Sequence, residues 1–291
     1  MMNRREMLKT SVAALGAAAF PIGWAAAAEK KPQKLLYFTR NVGFYHSVVV
    51  RKGDQLSHSE KALVELGKQN GFEVECTKDG TVFDGDLAQY DAIGLYCNGD
   101  LTQANPQNEP PMTPEGVKKL MDAVARGKGL IAFHSTCNCQ QTAGPAVNGV
   151  DPFLAMVGAG FVSHGPQQKA TMRIADAAFP GMKDLGEKFE LLEEWYAMKD
   201  FGKDLHVILV QETEGMKGAC YQRPPFPSTW ARMQGKGRVY FNSMAHREDV
   251  WSGKLLQQIV LGGLAWAMGN ADADVKPNIE QVTPKAWQLK N

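Results

Sequence analysis

The chain has 291 residues, a formal net charge of +1 and 44% hydrophobic residues, which is enough for one large domain with its own core. Its acidic and basic residues are nearly balanced, which argues against nucleic acid as a partner. The five cysteines are an odd number. In an oxidising compartment, at least one of them would therefore be free, bound to a metal or paired with another chain.

The first 28 residues are predicted to be a signal peptide. The paired residues Arg4 and Arg5 precede an apolar run at 11–24 and a string of alanines that ends at Ala28. Their RR-x-x-L-K context is similar to the twin-arginine signal, which exports folded proteins. We therefore expect a periplasmic or otherwise exported protein, free of the membrane after cleavage, with one domain over 29–291. An uncleaved membrane anchor is the alternative, and the short apolar run disfavours it.

Strands and helices alternate along the first half of the chain. Short apolar runs predict strands, and N-capping patterns at Ser57 and Thr113 predict the starts of two helices. The predicted strands are 34–39, 72–76, 91–97 and 130–133, and the predicted helices are 57–66 and 113–126. This order predicts an α/β fold with a mostly parallel sheet and helices on both faces.

The second half of the chain is predicted to add a hairpin and a long helix. Its expected elements are a short helix at 152–157, strands at 170–174 and 206–210, a hairpin of 229–233 with 238–242, and a helix at 252–268. Residues 189–198 are ambiguous between helix and strand, and their aromatic content favours an extended conformation. The tail at 269–291 is predicted to be irregular.

Four of the six histidines lie just beyond predicted strands: His46, His134, His164 and His246. Because the carboxyl ends of parallel strands open into one crevice, we expect these imidazoles to converge. Neutral imidazoles with a carboxylate form a site for a divalent transition metal, of which zinc is the first candidate. For each histidine taken alone, hydrogen bonding within its loop is the alternative.

The adjacent acids Glu193 and Glu194 are the best source of that carboxylate. They lie in an apolar and aromatic stretch, so one of them faces inward whichever secondary structure forms. Desolvation should raise the pKa of the inward acid towards the range that is useful for proton transfer. The alternative is that both acids are solvated at a strand edge.

Thiol chemistry is a further alternative. It would make Cys137 or Cys139 a nucleophile helped by His134, but His134 and Ser135 hold the strand-end position that a nucleophile usually takes. Ser135 also lacks the G-x-S-x-G context of a catalytic serine. Cys97 and Cys137 both follow predicted parallel strands and are candidates for a disulfide at the crevice rim.

Several short motifs, taken in order, resemble the ThuA-like (trehalose utilisation) family. They are Phe133-His134-Ser135, Ser163-His164, Glu193-Glu-Trp-Tyr196, Pro227-Ser-Thr-Trp230, Gly235-Lys-Gly-Arg-Val-Tyr-Phe241, Met244-Ala-His246 and Leu261-Gly-Gly-Leu-Ala-Trp-Ala267. The resemblance implies a flavodoxin-like sheet related to the class I glutamine-amidotransferase fold, without its cysteine nucleophile. It also implies a role in the catabolism of carbohydrates, particularly disaccharides and their 3-keto derivatives.

The resemblance also implies a set of site residues. The candidates are His46, His134, His164, Glu194 and His246. Together with the strand-end argument above, we expect the histidines to be metal ligands and Glu194 and His134 to act in catalysis. The family's F-H-G-G is F-H-S-T here, which leaves substrate identity open.

Our leading hypothesis is a metal-dependent enzyme that isomerises, eliminates or hydrolyses glycosides or 3-keto-glycosides. The alternatives are a non-catalytic sugar-binding module and a cysteine hydrolase of the amidotransferase type. Four aromatic residues are candidates for stacking on a sugar substrate: Tyr45, Trp195, Tyr196 and Trp230.

Overall fold

A computed structural model describes residues 31–289, so the predicted signal peptide at 1–28 lies outside the described residues. The strands are β1 (Gln33–Phe38), β2 (Phe72–Thr77), β3 (Ala92–Leu95), β4 (Gly129–Phe133), β5 (Gly160–His164), β6 (Gln168–Ile174), β7 (Lys188–Glu193), β8 (Tyr196–Lys199), β9 (His206–Gln211), β10 (Phe226–Gln234) and β11 (Gly237–Asn242). The helices are α1 (His58–Asn70), α2 (Pro114–Arg126), α3 (Pro152–Val157), α4 (Glu248–Ser252), α5 (Lys254–Ala267) and α6 (Ile279–Val282).

Nine strands form one sheet in the order β2-β1-β3-β4-β11-β10-β9-β6-β7. The first five strands of that order run parallel to one another. The predicted hairpin of β10 and β11 then begins an antiparallel extension, while β5 and β8 pair separately. The predicted α/β fold is confirmed, with its parallel strands in the half of the sheet that carries most of the candidate site.

Helices cover both faces of this sheet, as predicted. Alternate residues of β1 point to opposite sides, so Leu35 and Leu36 belong to two different core clusters. One cluster includes Leu63 of α1 and Ile259 of α5, and the other includes Leu120 of α2. Burial on both faces explains why the central strands read as continuous apolar runs.

The start of α1 shows how local sequence fixes a loop of the candidate site. Ser57 and Glu60 form the predicted capping box. Glu60 is also buried and accepts hydrogen bonds from Thr39 at 2.8 Å and from Arg51 at 2.8 Å. These bonds tie α1 to both ends of the loop that follows β1 and carries His46.

Three details differ from the expectation. The extended stretch at 189–198 is interrupted, because β7 ends at Glu193 and β8 begins at Tyr196. The helix predicted at 252–268 corresponds to α5, and a separate short helix, α4, precedes it and ends at Ser252. The tail contains α6 and is fastened to the domain, since Trp287 donates a hydrogen bond to the carbonyl of Phe201 at 3.0 Å. Within residues 31–289, no helix is long and apolar enough to cross a membrane.

Candidate metal centre

Three of the four predicted histidines meet at the carboxyl edge of the parallel strands. His46 lies in the loop after β1, His134 directly follows β4, and His246 lies in the loop after β11. The ring centroids are 5.1 Å apart for His46 and His134, 5.2 Å for His46 and His246, and 5.3 Å for His134 and His246. They converge because β1, β3, β4 and β11 are consecutive in the sheet.

Two unusual backbone conformations shape this edge. His134 has φ of 39° and Ala245 has φ of 98°. Residues other than glycine rarely adopt such positive φ values. Each such conformation costs about 1–3 kcal/mol and persists only where surrounding contacts enforce it. The turn at His134 is supported by a hydrogen bond of 2.8 Å between its Nδ1 and the Ser243 carbonyl.

Glu194 brings a carboxylate into the same cluster. It lies in the short turn between β7 and β8, and its Oε2 is 3.4 Å from His134 Nε2 and 3.1 Å from His246 Nδ1. The ligand atoms of His46, His134, Glu194 and His246 all lie within 4.8 Å of one another. Three imidazole nitrogens and a carboxylate oxygen at this separation match the donor set of a zinc site.

Burial sets the charge of His46 and His134, whereas at His246 burial works to lower the pKa but Glu194 outweighs it and the net pKa is raised. Burial lowers the pKa of His46 to about 2, helped by the neighbouring His134 and His246. Burial also lowers the pKa of His134, against the opposing effect of Glu194. Both imidazoles are therefore neutral at physiological pH, which is the protonation state that binds metals.

The carboxylate with the raised pKa is Glu193 rather than Glu194. Burial works to raise the pKa of Glu194, but the neighbouring His134 and His246 outweigh it, so the net pKa is lowered. Burial raises the pKa of Glu193 to about 7. The prediction that the inward acid has a raised pKa thus fits Glu193, while Glu194 is ionised at neutral pH.

Unpaired buried atoms test whether a cation fits this arrangement. His46 Nδ1, His134 Nε2 and His246 Nδ1 are buried without a hydrogen-bond partner. Because the Ser243 carbonyl can only accept, His134 Nδ1 carries the proton, so Nε2 of the neutral ring presents a lone pair. That lone pair faces a carboxylate oxygen at 3.4 Å. A metal ion between the two would remove their repulsion, so the residues present fit a divalent metal.

His164 lies at the rim, outside the cluster of four. Its side chain is 45% exposed, and its Nδ1 is 3.5 Å from Glu194 Oε1 and 2.9 Å from the Gly165 carbonyl. It therefore contacts Oε1 of Glu194, whereas His134 and His246 face Oε2. This position suits a link between Glu194 and solvent better than the ligand role that the sequence predicts.

The four predicted sugar-stacking aromatics have different environments. Trp195 and Trp230 are fully buried, and their indole nitrogens donate to the carbonyls of Gln168 and Val157. A sugar cannot reach either ring, so the stacking role predicted for these two is wrong and they are core residues. Tyr45 is half-buried, with its hydroxyl 2.6 Å from Glu109 Oε1.

Tyr196 supports the histidines rather than standing open to solvent. Its ring centroid is 4.0 Å from that of His134, and its hydroxyl is 3.2 Å from His46 Nε2.

Sequence reasoning missed Tyr96, a buried residue after β3 whose ring lies 5.6 Å from His46 and 6.1 Å from His134. The available signal was its position at the end of a strand on the same edge.

Cys97, Cys137 and Cys139 are buried behind this edge. Cys137 and Cys139 are fully buried, and burial raises the pKa of both thiols. A thiolate nucleophile is therefore disfavoured at either position. Cys97 Sγ lies 3.4 Å from Cys139 Sγ, whereas Cys137 Sγ donates to the His134 carbonyl. The pairing of Cys97 with Cys137 that the sequence suggested is thus corrected to proximity with Cys139.

A cavity of about 1270 Å³ opens beside the cluster. It lies between α2, the loop at 140–152 and the pair of strands β5 and β8. Phe161 lines it, and the Phe161 ring centroid is 4.4 Å from that of Tyr196. The histidines do not line this cavity, so it is a neighbouring space that meets the cluster at one aromatic wall.

Comparison with known proteins finds one family and a set of similar folds. Residues 36–267 match the model of the ThuA family, described as trehalose utilisation. A ThuA-like protein from Parabacteroides merdae is 17% identical, with a TM-score of 0.64 over 84% of this chain and 92% of that one. One from Bacteroides uniformis is 18% identical, with a TM-score of 0.59 over 88% of this chain and 99% of that one. No curated protein matches the chain.

Proposed function

Because the chain belongs to the ThuA family, we propose that it is an exported, metal-dependent enzyme of carbohydrate catabolism that acts on glycosides or 3-keto-glycosides. Membership supports a carbohydrate-related role, and the residues of the cluster suggest the chemistry. Export rests on the twin-arginine pattern at the start of the sequence. The reaction class is isomerisation, elimination or hydrolysis of the sugar.

The observation that carries the proposal is the cluster of His46, His134, Glu194 and His246, whose ligand atoms lie within 4.8 Å of one another. A buried group of unpaired imidazole nitrogens is costly unless a ligand satisfies it. Zinc prefers imidazole nitrogen and carboxylate oxygen in a small tetrahedral site. The ligand atoms of the cluster therefore interact more favourably with a bound cation than with one another.

The cluster suggests distinct tasks for the residues around a bound sugar. A divalent metal, when bound, supplies a Lewis acid that polarises a carbonyl or hydroxyl oxygen. Glu194 is ionised and can accept the acidified proton next to a sugar carbonyl at its Oε1. His164 is partly exposed and its Nδ1 lies 3.5 Å from that oxygen, so it can orient the carboxylate from the solvent side. The Ser243 carbonyl keeps His134 in the tautomer that offers Nε2 to the cluster.

The neighbouring cavity offers room for the part of the substrate that does not react. Its walls combine apolar residues such as Val117 and Met121 with polar side chains such as Gln141. A pyranose has both apolar C–H faces and hydroxyl edges, so it can use both kinds of wall. The Phe161 ring separates this space from the Tyr196 ring beside the histidines.

The proposal is tested by metal content and turnover together. The purified wild-type protein should contain one equivalent of zinc by elemental analysis and should convert at least one member of a panel of glycosides and 3-keto-glycosides. His134→Ala should lose both the metal and the turnover. His58→Ala is a matched control. His58 lies at the start of α1, outside the cluster, and its Nε2 is 3.1 Å from Ser252 Oγ.

The other outcomes discriminate between the candidate functions. Wild-type protein without stoichiometric metal, together with unchanged turnover by His134→Ala, would rule out the metal-dependent enzyme. Sugar binding without turnover by the metal-loaded protein would identify a non-catalytic binding module. Loss of turnover after alkylation of Cys137 or Cys139 would point to the cysteine hydrolase.

A further inference from the structure

Glu193 is a fully buried carboxylate directly behind the candidate metal centre. It ends β7, and its Oε1 accepts the backbone N–H of Glu194 at 2.8 Å. Its Oε2 accepts the backbone N–H groups of Ala245 and His246, each at 3.1 Å. All of its observed hydrogen bonds are therefore made to the backbone of the cluster rather than to side chains.

These bonds join two distant segments, because Ala245 and His246 are 52 and 53 residues from Glu193 in sequence. One segment presents Glu194 and the other presents His246, and the Oε2 of Glu194 lies 3.1 Å from His246 Nδ1. A shift of either backbone would change that separation directly. Glu193 is thus the shared anchor of two of the four groups in the cluster.

The turn that Glu193 holds is conformationally strained. Ala245 has φ of 98°, and the two N–H groups bound to Glu193 Oε2 are its own and that of the next residue. Consecutive backbone amides that point at one anion form a concave site for negative charge. The carboxylate therefore stabilises a conformation that alanine does not favour, and this conformation aims His246 inward.

We propose that Glu193 is a positioning residue of the metal centre, which holds Glu194 and His246 in the geometry that binds a divalent cation. The inference rests on the metal site of the proposed function. It assigns Glu193 no contact with the metal or with the substrate. Partners of this kind, which orient metal ligands from behind, typically contribute 10- to 100-fold to metal affinity.

Glu193→Gln tests this role, because glutamine keeps the size but has one acceptor oxygen and an amide group that donates. It cannot accept on both sides at once, so the two segments lose part of their common anchor. We expect the zinc dissociation constant of the full chain, measured by competition with a chromophoric chelator, to rise about 10- to 100-fold. Glu190→Gln, the same change on an exposed residue of β7, should leave that constant unchanged.

A second variant separates positioning from general destabilisation. Glycine adopts φ of 98° without strain, so adding Ala245→Gly to Glu193→Gln should recover part of the zinc affinity. The visible absorption spectrum of the Co²⁺-loaded protein should change in Glu193→Gln and return towards wild type in the double variant. Loss of stability alone would lower the melting temperature without altering the spectrum of the folded, loaded protein.

The outcomes keep this inference apart from the proposed function. Wild-type protein that binds no stoichiometric zinc or cobalt would refute the metal site itself. Tight binding by the wild type, with the same dissociation constant and Co²⁺ spectrum in Glu193→Gln, would overturn only the role of Glu193. If Glu193→Gln does not fold, the double variant decides: affinity equal to that of Ala245→Gly alone contradicts the role, and weaker affinity supports it.

Discussion

At the scale of single residues, His134 shows how backbone position determines chemistry. The end of a buried strand places it at the sheet edge, and its positive φ turns the chain immediately into a new direction. A hydrogen bond from Nδ1 to the Ser243 carbonyl then selects the tautomer, and burial keeps the ring neutral. The result is a fixed lone pair on Nε2, which is what a metal ligand requires.

Tyr196 should have the same kind of influence on His46. Its hydroxyl, 3.2 Å from His46 Nε2, leaves Nδ1 as the ring nitrogen that faces the cluster. We expect Tyr196→Phe to weaken zinc binding about 10-fold, since the orienting bond is lost while the ring still packs on His134. Titration of the apo protein with zinc measures the change.

Tyr90→Phe provides the comparison for Tyr196→Phe. It removes another tyrosine hydroxyl, one that is 2.8 Å from Glu75 and belongs to a different part of the fold. Its zinc affinity should equal that of the wild type. If both phenylalanine variants bind zinc equally well, Tyr196 has no orienting role.

At the scale of elements, the parallel strands decide which loops meet. Positions just after predicted strands correctly indicated that His46, His134 and His246 would come together, because parallel strands open at one edge. The paired acids correctly indicated a buried carboxylate. The anchoring role of Glu193 was not readable, because its partners are backbone amides about 50 residues away. The burial of Trp195 and Trp230 is likewise decided by tertiary packing.

The loops after β3 and β4 also bring two thiols together. Cys97 and Cys139 are fully buried with Sγ atoms 3.4 Å apart, so only a small approach separates them from a disulfide. We expect refolding with oxidised glutathione to cross-link these two residues, releasing two equivalents of reduced glutathione. By loop entropy, the bond would stabilise the protein by at most about 4 kcal/mol. Peptide mass spectrometry without reduction identifies the pair.

Substitutions decide whether that pairing is specific. Cys97→Ala should abolish the cross-link, while Cys137→Ala should leave it intact, because Cys137 donates to the His134 carbonyl instead. A cross-link between Cys97 and Cys137, or five free thiols after refolding, would contradict the structure-based pairing.

At the scale of the whole molecule, the carboxyl-terminal tail acts as a strap across the antiparallel half of the sheet. His206 of β9 makes hydrogen bonds through both ring nitrogens, to the Lys276 carbonyl at 2.8 Å and to Asp176 at 2.9 Å. Both acceptors lack a hydrogen, so the ring is doubly protonated. The prediction of an irregular tail missed this fastening, because its hydrogen-bond partners lie far away in sequence.

The protonation of His206 makes this strap sensitive to pH. Burial works to lower the His206 pKa, but the hydrogen bond to Asp176 outweighs it and the net pKa is raised. The same bond lowers the pKa of Asp176. A raised histidine pKa stabilises the fold fully below its unfolded value of about 6.5, and the effect is lost as pH rises through the folded value. The Asp176 contribution is present above about pH 4.

His206→Gln should therefore destabilise the protein most in mildly acidic solution. We expect a loss of about 1 kcal/mol at pH 5.5, modest because Asp176 is partly exposed to solvent, and a smaller loss at pH 8.5. Urea unfolding of both proteins at the two pH values measures the difference. In an Asp176→Asn background the pH dependence of the loss should shrink, since the group that raises the histidine pKa most is gone. A loss that is constant or larger at pH 8.5 would mean that packing, rather than the charged hydrogen bond, fastens the strap.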